Sequence, residues 1–329
     1  MNREPMVERV TLKNGEPLPK IGFGTFGSDH YSPARVADAV AYAIESGYRF
    51  FDCAQVYGNE GSIGEVFADA FGRGVVHLED IFVTSKVWND MHGTGKPTAA
   101  LRRTLTDLRL DYVDAYFVHW PFPNYHAPGC DGDSRNPDSV PFDPEAYVRV
   151  WSEMESLCDA GLTRSLGMSN MTIAKLEAVL KRIRVQPAMI EMELHPSFQQ
   201  RELFEYCAGK GIKVIGFCPL GSPNRPERDV TPEDVSDMEL EEVREIARSR
   251  NIHPAAVCLM WAVSRGAIPI PFSGNEKNIL ANLSSAAEEL TDGEMAILRH
   301  AERNCRLVKG QVFLWPGAES WKELWDEWN

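Results

Sequence analysis

Two hydrophobic patterns take turns along this chain. Short apolar runs rich in β-branched and aromatic residues alternate with longer stretches whose apolar positions recur every three or four residues. The first pattern predicts buried strands and the second amphipathic helices. The start reads as a hairpin: VERVTL, a turn at Asn14-Gly15, then PLPKI. The run IGFGT (21–25) predicts a strand. Ser32 and Pro33 then supply an N-cap and a first helical residue, Val36, Val40 and Ile44 keep one stripe, and Gly47 closes the helix.

The same unit recurs. Strand 48–54 precedes a helix with the stripe Ile63, Val66, Phe67, Ala70 and Phe71. Strand 81–86 precedes helix 97–108, and strand 112–120 precedes a long loop and helix 144–160. Strands 165–169 and 188–195 precede helices 172–182 and 199–209. Strand 213–219 precedes a polar loop and helices 237–249 and 254–264, and strand 267–272 precedes helix 275–286. The strands are apolar on both faces, as parallel strands covered by helices must be. Eight units without a dividing linker predict an α/β fold in which residues 1–329 form a single (β/α)8 TIM barrel with an N-terminal β-hairpin. The long loops 121–143 and 221–237 follow strands, which places them on the C-terminal face, where such barrels carry their sites. The tail from about 301 to 329 carries Trp321, Trp325 and Trp328 at helical spacing and is expected to pack on the barrel and cover the substrate side.

Composition narrows the partners. The net charge of −14 argues against nucleic acid and anionic membrane, both of which need clustered Lys and Arg. It leaves an anionic cofactor open, because helix N-termini bind phosphate without net positive charge. Seven cysteines lack a C-x-x-C pair, and Cys53, Cys158, Cys207, Cys218 and Cys258 sit among apolar residues. Reduced thiols and a cytoplasmic location are therefore expected. MNREPMVERV lacks the apolar run of a signal peptide, and no run of about 18 apolar residues suggests a membrane span. No metal is expected, since the eight histidines are scattered without ligand spacing. Nucleophile-elbow spacing is absent too, so acyl transfer is not indicated.

KIGFGTFGSDH (20–30) contains Gly22-x-Gly24-x-x-Gly27, the spacing of a dinucleotide-binding Rossmann turn. In that turn the last glycine opens a helix. Here the helix waits for Pro33, so the motif is misplaced for that role.

Chemistry gathers instead at three consecutive strand ends. FFDCAQVYGNE carries Asp52 and Tyr57, VTSKVWND carries Lys86, and YFVHWPF carries His119. In a barrel these ends are neighbours on one rim. A free tyrosine, with a pKa near ~10, is a poor acid near neutrality, and a nearby Lys ammonium favours its phenolate. Asp52 can hold Lys86, His119 can donate to a carbonyl oxygen, and Tyr57 can protonate that oxygen as a hydride reaches the carbon. The hydride must come from a cofactor.

With these residues in view, the chain resembles the aldo-keto reductase superfamily, in its aldose/xylose reductase-like branch. The resemblance spans about residues 8–300 and rests on LPKIGFGTF, YRFFDCAQVYGNE, IFVTSKVWND, LDYVDAYFVHWP, GLTRSLGMSN, ELHPSFQQ and GFCPLGSP in the family's order. It implies a (β/α)8 barrel that binds a nicotinamide cofactor across its C-terminal rim, with the tetrad Asp52, Tyr57, Lys86 and His119 and Tyr57 as general acid. It places Thr25 and Phe26 beside the nicotinamide, Ser169 and Asn170 on its carboxamide, and Phe217 as a stacking ring where the family usually has Tyr. Leu220, Ser222 and Asn224 would lie in the loop over the pyrophosphate.

Three departures stand out. Glu191 occupies the place of a Gln that holds the carboxamide, and Phe26 the place of a Trp. In IPIPFSGNEKNILANL (268–283), Phe272 and Asn278 stand where the family has a Lys before Ser273 and an Arg five residues after it. Those cations would neutralise the 2′-phosphate of NADPH. Glu276 would repel that phosphate, so NAD(H) is expected to be favoured over NADP(H), with Asn282 completing the adenosine side. Lys277 or Arg225 could restore NADPH binding.

Phe26, Trp88, Trp120 and Trp315 suggest an aromatic-walled substrate pocket. Such walls suit small aldehydes, aromatic aldehydes and the apolar faces of sugars alike, and Asn124, His126 and Asp131 could reach sugar hydroxyls. The expected activity is NAD(P)H-dependent reduction of an aldehyde or ketone, an aldose among the candidates, to the alcohol. The expected partner is a small-molecule carbonyl compound, and monomer and dimer both stay open. The alternative is a nicotinamide-binding regulatory subunit with little turnover. A Rossmann-type Tyr-x-x-x-Lys dehydrogenase fails, because Tyr57 and Lys86 are 29 residues apart.

Overall fold

The computed structural model describes residues 8–27, 30–126, 130–131, 134–222 and 225–327; Asn224 and Trp328 lie outside them. Strands β1 (Arg9–Thr11) and β2 (Pro17–Pro19) form the antiparallel hairpin, with Gly15 in the left-handed turn at φ 92°. Eight parallel strands follow: β3 (Phe23–Gly24), β4 (Phe50–Asp52), β5 (Phe82–Val87), β6 (Val113–Val118), β7 (Thr163–Ser169), β8 (Met189–Glu193), β9 (Lys213–Phe217) and β10 (Ile268–Pro269). They pair in chain order. Gly22 and Gly24 N–H donate to the carbonyls of Pro269 and Pro271, at 3.0 and 3.1 Å, so the curled sheet brings its first strand against its last. This is an α/β fold consistent with a (β/α)8 barrel.

The two glycines of the misplaced motif are explained here. A Cβ on Gly22 would fall 2.5 Å from Phe50 Cδ1, and one on Gly24 would fall 2.7 Å from the Ile270 carbonyl oxygen. They are glycines because side chain and strand crowd them.

Helices α1 (Pro33–Ser46), α2 (Glu60–Gly72), α3 (Lys96–Leu108), α4 (Pro144–Asp159), α5 (Ile173–Leu180) and α6 (Arg201–Gly209) each follow a strand. After β9 come α7 (Glu241–Arg250) and α8 (Pro254–Ser264), and after β10 come α9 (Glu276–Ser285) and α10 (Asp292–Leu298). In α1 the Ser32 hydroxyl accepts from Arg35 N–H and Gly47 ends the helix at φ 109°, as the sequence indicated. The expected helix 237–249 is instead split. Asp237–Glu239 form a 3-10 turn and Leu240 is extended (ψ 136°), because buried Asp237 is tied to Ser197 N–H at 2.7 Å.

Alternation along the strands sorts the core into two layers. Phe51, Val83, Tyr116 and Ile190 face the helices. Phe50, Phe82, Ala115, Phe117, Met189, Ile215 and Ile268 face inward, and Leu12 and Leu18 of the hairpin pack with them. The period of two then decides which polar groups share the interior. Asp52 follows Phe50, Thr84 and Lys86 follow Phe82, His119 follows Phe117, and Glu191 follows Met189. A third apolar cluster joins Trp120 and Phe122 to tail residues Val312, Phe313, Leu314, Leu324 and Trp325. The tryptophan stripe of the tail is only a five-residue 3-10 helix, Trp321–Trp325. Tertiary bonds end it: Lys175 Nζ donates to Leu324 O and to Asp326, and Trp325 Nε1 donates to Lys309 O.

Candidate active site

Lys86 is fully buried at the end of β5, and its ammonium is surrounded by oxygen. Nζ donates to Asp52 Oδ1 and Oδ2 at 2.7 and 2.6 Å and to the Cys53 carbonyl at 3.1 Å. Glu191 Oε2 lies 3.3 Å from the same nitrogen. The Thr84 hydroxyl donates to Asp52 Oδ1 at 2.6 Å, and Thr25 Oγ1 to the Asp52 carbonyl at 2.8 Å. Burying a lone ammonium costs several kcal/mol, and this cage is what offsets it.

Tyr57 ends a 3-10 turn after β4, with Lys86 Nζ 5.3 Å from its ring centroid. His119 sits 5.9 Å away, ring to ring and edge-on. All four tetrad residues therefore meet. Burial pushes the phenol above its ordinary value; the Lys86 ammonium favours the phenolate, as expected, but only partly opposes that. Burial, Lys86 and His92 hold His119 well below its ordinary value. The pair is thus a protonated phenol beside a neutral imidazole, and His119 Nδ1 has no partner among the described residues.

Phe26 is exposed and stands 5.0 Å from the Tyr57 ring, and Trp88 packs edge-on against His119 at 4.9 Å. Trp120 is buried against Phe313, Phe122 and Trp325, while Trp315 is partly buried at the edge of the same cluster. Ser169 and Glu191 are register partners on β7 and β8. Asn170 follows in the left-handed region (φ 58°) and donates from Nδ2 to the His119 carbonyl at 2.9 Å. Its Oδ1 is buried and has no hydrogen bond among the described residues, and Glu191 Oε2 is buried with the Lys86 ammonium at 3.3 Å but no hydrogen bond. Phe217 is half-buried at the end of β9. Leu220 and Ser222 follow in the next loop, where Arg225 N–H donates to the Ser222 carbonyl.

Phe272 packs against Phe23 and Tyr31, and Asn275 N–H donates to Ser273 Oγ. Glu276 and Asn278 are exposed in the first turn of α9, and Asn282 is buried two turns into it. Two expectations are corrected. Arg225 is not a free cation: it is buried and paired with Asp234, and it also donates to the Ser222 and Asp229 carbonyls. Asn124 cannot reach a sugar, because its amide is used up on Val140 and the Phe313 carbonyl. His126 instead packs edge-on to Trp88 and tilted against Phe313, and Asp131 accepts from Ser134.

Sequence reasoning passed over Thr84, although its place two residues before Lys86 puts it on the same face. It also passed over a second buried cluster on β8. Glu193 accepts from Leu307 and Val308 N–H and sits 2.9 Å from His195 Nε2, while Asp237 Oδ2 lies 2.9 Å from His195 Nδ1. Its signal was E-L-H, two ionisable groups in an apolar strand. All seven cysteines are free. Among the described residues there is no group of three or more metal-ligating side chains and no helix long and apolar enough to cross a membrane.

Comparison with known proteins places the chain in a family. Residues 20–303 match the Aldo/keto reductase family. The chain belongs to that family. It is 37% identical to an aldo/keto reductase of Synechocystis sp. over 99% of this chain and 98% of the relative. It is 38% identical to aldo-keto reductase family 1 member A1 of Xenopus tropicalis over 92% of this chain and 91% of that protein. It is 36% identical to the Homo sapiens member over 91% and 90%. Membership makes the chain an NAD(P)H-dependent oxidoreductase acting on carbonyls. Nothing in these relatives supports a purely regulatory role.

Proposed function

We propose that residues 1–329 work as one closed barrel domain that reduces an aldehyde or ketone, with an aldose among the candidate substrates, and that Tyr57 is its general acid. The observation that carries this is the Lys86 ammonium, gripped by both oxygens of Asp52 and set 5.3 Å from the Tyr57 ring. Tyr57 keeps its proton until the carbonyl oxygen gains charge. Lys86 then stabilises the phenolate left behind, a contribution of about 10²–10⁴-fold for a well-placed acid. Neutral His119 donates a hydrogen bond to the same oxygen, and Asp52 holds Lys86 in place. In alcohol oxidation the same phenolate is the base.

The residues present fit a nicotinamide. Asn170 Oδ1 and Glu191 Oε2, both buried without a hydrogen bond, can accept from an amide, and Ser169 neighbours Asn170 in the chain and Glu191 across the sheet. Phe217 offers a half-buried ring for stacking, which needs only its π-face. When bound, the cofactor supplies the hydride. Thr25 and Phe26 would border it, and Leu220 and Ser222 would hold its pyrophosphate side. On the adenosine side, Phe272, Ser273, Glu276, Asn278 and Asn282 present no cation, and Arg225 is committed to Asp234. NADH is therefore the favoured cofactor, with Lys277 the remaining cation of α9. Phe26, Trp88, Trp120 and Trp315 wall the substrate side, and the tail from about 301 covers it. The reaction takes place in the cytoplasm.

The test is the initial rate of NADH and NADPH oxidation, side by side, over a panel of aldoses and small aldehydes. Faster turnover with NADH supports the whole reading. Preference for NADPH overturns the cofactor choice alone, and cofactor binding without turnover on any carbonyl overturns the reductase reading.

A further inference from the structure

Two carboxyl groups face one ammonium inside this barrel. Asp52 accepts two hydrogen bonds from Lys86 and one from Thr84. Glu191 reaches the same nitrogen at 3.3 Å, yet its Oε2 is buried without a hydrogen bond. A second carboxylate here would leave one buried negative charge uncompensated, and a buried carboxyl in that position keeps its proton instead. The groups facing Glu191 are Asp52 from β4, Lys86 from β5 and Tyr57 from the turn after β4. Its register neighbours on β7 and β9, Ser169 and Ile215, carry no charge.

We propose that Glu191 is a neutral acid in the resting protein and a positioning residue for the Tyr57 acid: while protonated it leaves the Lys86–Asp52 pair electrically balanced beside the phenol, and once ionised it adds a net negative charge that opposes formation of the phenolate. This deepens the reading of Tyr57 as the acid and rests on it. The balance is a single proton. Glu191 releases it to solvent as pH rises, no bond to substrate forms or breaks at Glu191, and the new carboxylate pairs with Lys86. Burial and Asp52 push the Glu191 carboxyl up to about 8, against the pull of Lys86, so the change falls in the slightly alkaline range.

The experiment compares wild type with Glu191→Gln, which keeps the shape and removes the titration. One readout needs no activity. Glu191 binds its proton more tightly folded than unfolded, so its share of stability is complete below about pH 4.5 and is lost as pH rises to about 8. The melting temperature of wild type should fall relative to the variant across that window and run parallel to it above. The second readout is carbonyl reduction. Wild type should lose about three- to tenfold in kcat across pH 8, while Glu191→Gln holds its rate to higher pH. Parallel melting curves throughout the window overturn the neutral acid. If the melting curves diverge but the two rate profiles coincide, the link to Tyr57 is overturned while the buried neutral carboxyl stands. Absence of carbonyl turnover in both proteins sinks the reductase reading itself and, with it, the role assigned to Glu191.

Discussion

Glu191 and Glu193 sit two residues apart on one buried strand and face the same way, yet their carboxyls are shifted in opposite directions. Burial raises both. Glu193 accepts from the backbone N–H groups of Leu307 and Val308 and meets His195, and with Arg306 nearby these partners bring its carboxyl below the ordinary range. Glu191 has no such donors and is pushed up. The difference comes from what the rest of the chain supplies. The C-terminal tail brings its backbone to Glu193 and saturates it, which makes an anchor. Among the described residues nothing hydrogen-bonds His119 Nδ1 or Asn170 Oδ1, and Glu191 faces the Lys86 ammonium at 3.3 Å without a hydrogen bond of its own; incompletely satisfied buried groups are where a ligand or a proton can act.

Breaking the first cluster should cost most. Lys86→Met removes the ammonium facing Asp52 and Glu191 and leaves buried charge unpaired. Unfolding in denaturant should show a loss of about 3–5 kcal/mol, and a loss within about 0.5 kcal/mol would mean the pair is not buried as described. Glu193→Gln should cost about 1–3 kcal/mol by leaving tail N–H groups unsatisfied. It should also speed amide exchange at Leu307 and Val308, and unchanged exchange there would refute the anchor.

The second cluster also has a pH signature. Burial pushes His195 down, but Asp237 and Glu193 carry it up to about 9 from 6.5. A histidine with a raised folded value adds stability that is complete below about pH 6.5 and is lost as pH rises through about 9. His195→Gln should flatten the fall in melting temperature over that window, and an unaltered slope would show that another group sets it. The smallest effect belongs to a control. Arg73, just past the end of α2, and Asp69 form an exposed pair at 2.7 Å, and Arg73→Ala should leave the melting temperature unchanged.

Most of the fold was readable because each strand is buried on both faces and each helix carries a clear stripe and cap. The tetrad was readable for a related reason: Asp52, Lys86 and His119 break otherwise apolar runs. What local pattern could not show came from distant contacts. Asp237 gives up a regular helix to reach Ser197, and the short helix carrying Trp321 and Trp325 stops at Asp326, where Lys175 holds the chain. Asn124 looked free in a polar loop, but Val140 and Phe313 claim its amide. The direction of the Tyr57 shift also lay beyond the sequence, which names Lys86 as a neighbour but not how deeply both are enclosed.

The most direct measurement is carbonyl-dependent oxidation of NADH and NADPH by Tyr57→Phe, with cofactor binding followed separately by fluorescence. If Tyr57 is the acid, turnover falls by about 10²–10⁴-fold while cofactor binding is retained. Turnover within about threefold of wild type would contradict the assignment and move the proton to another group.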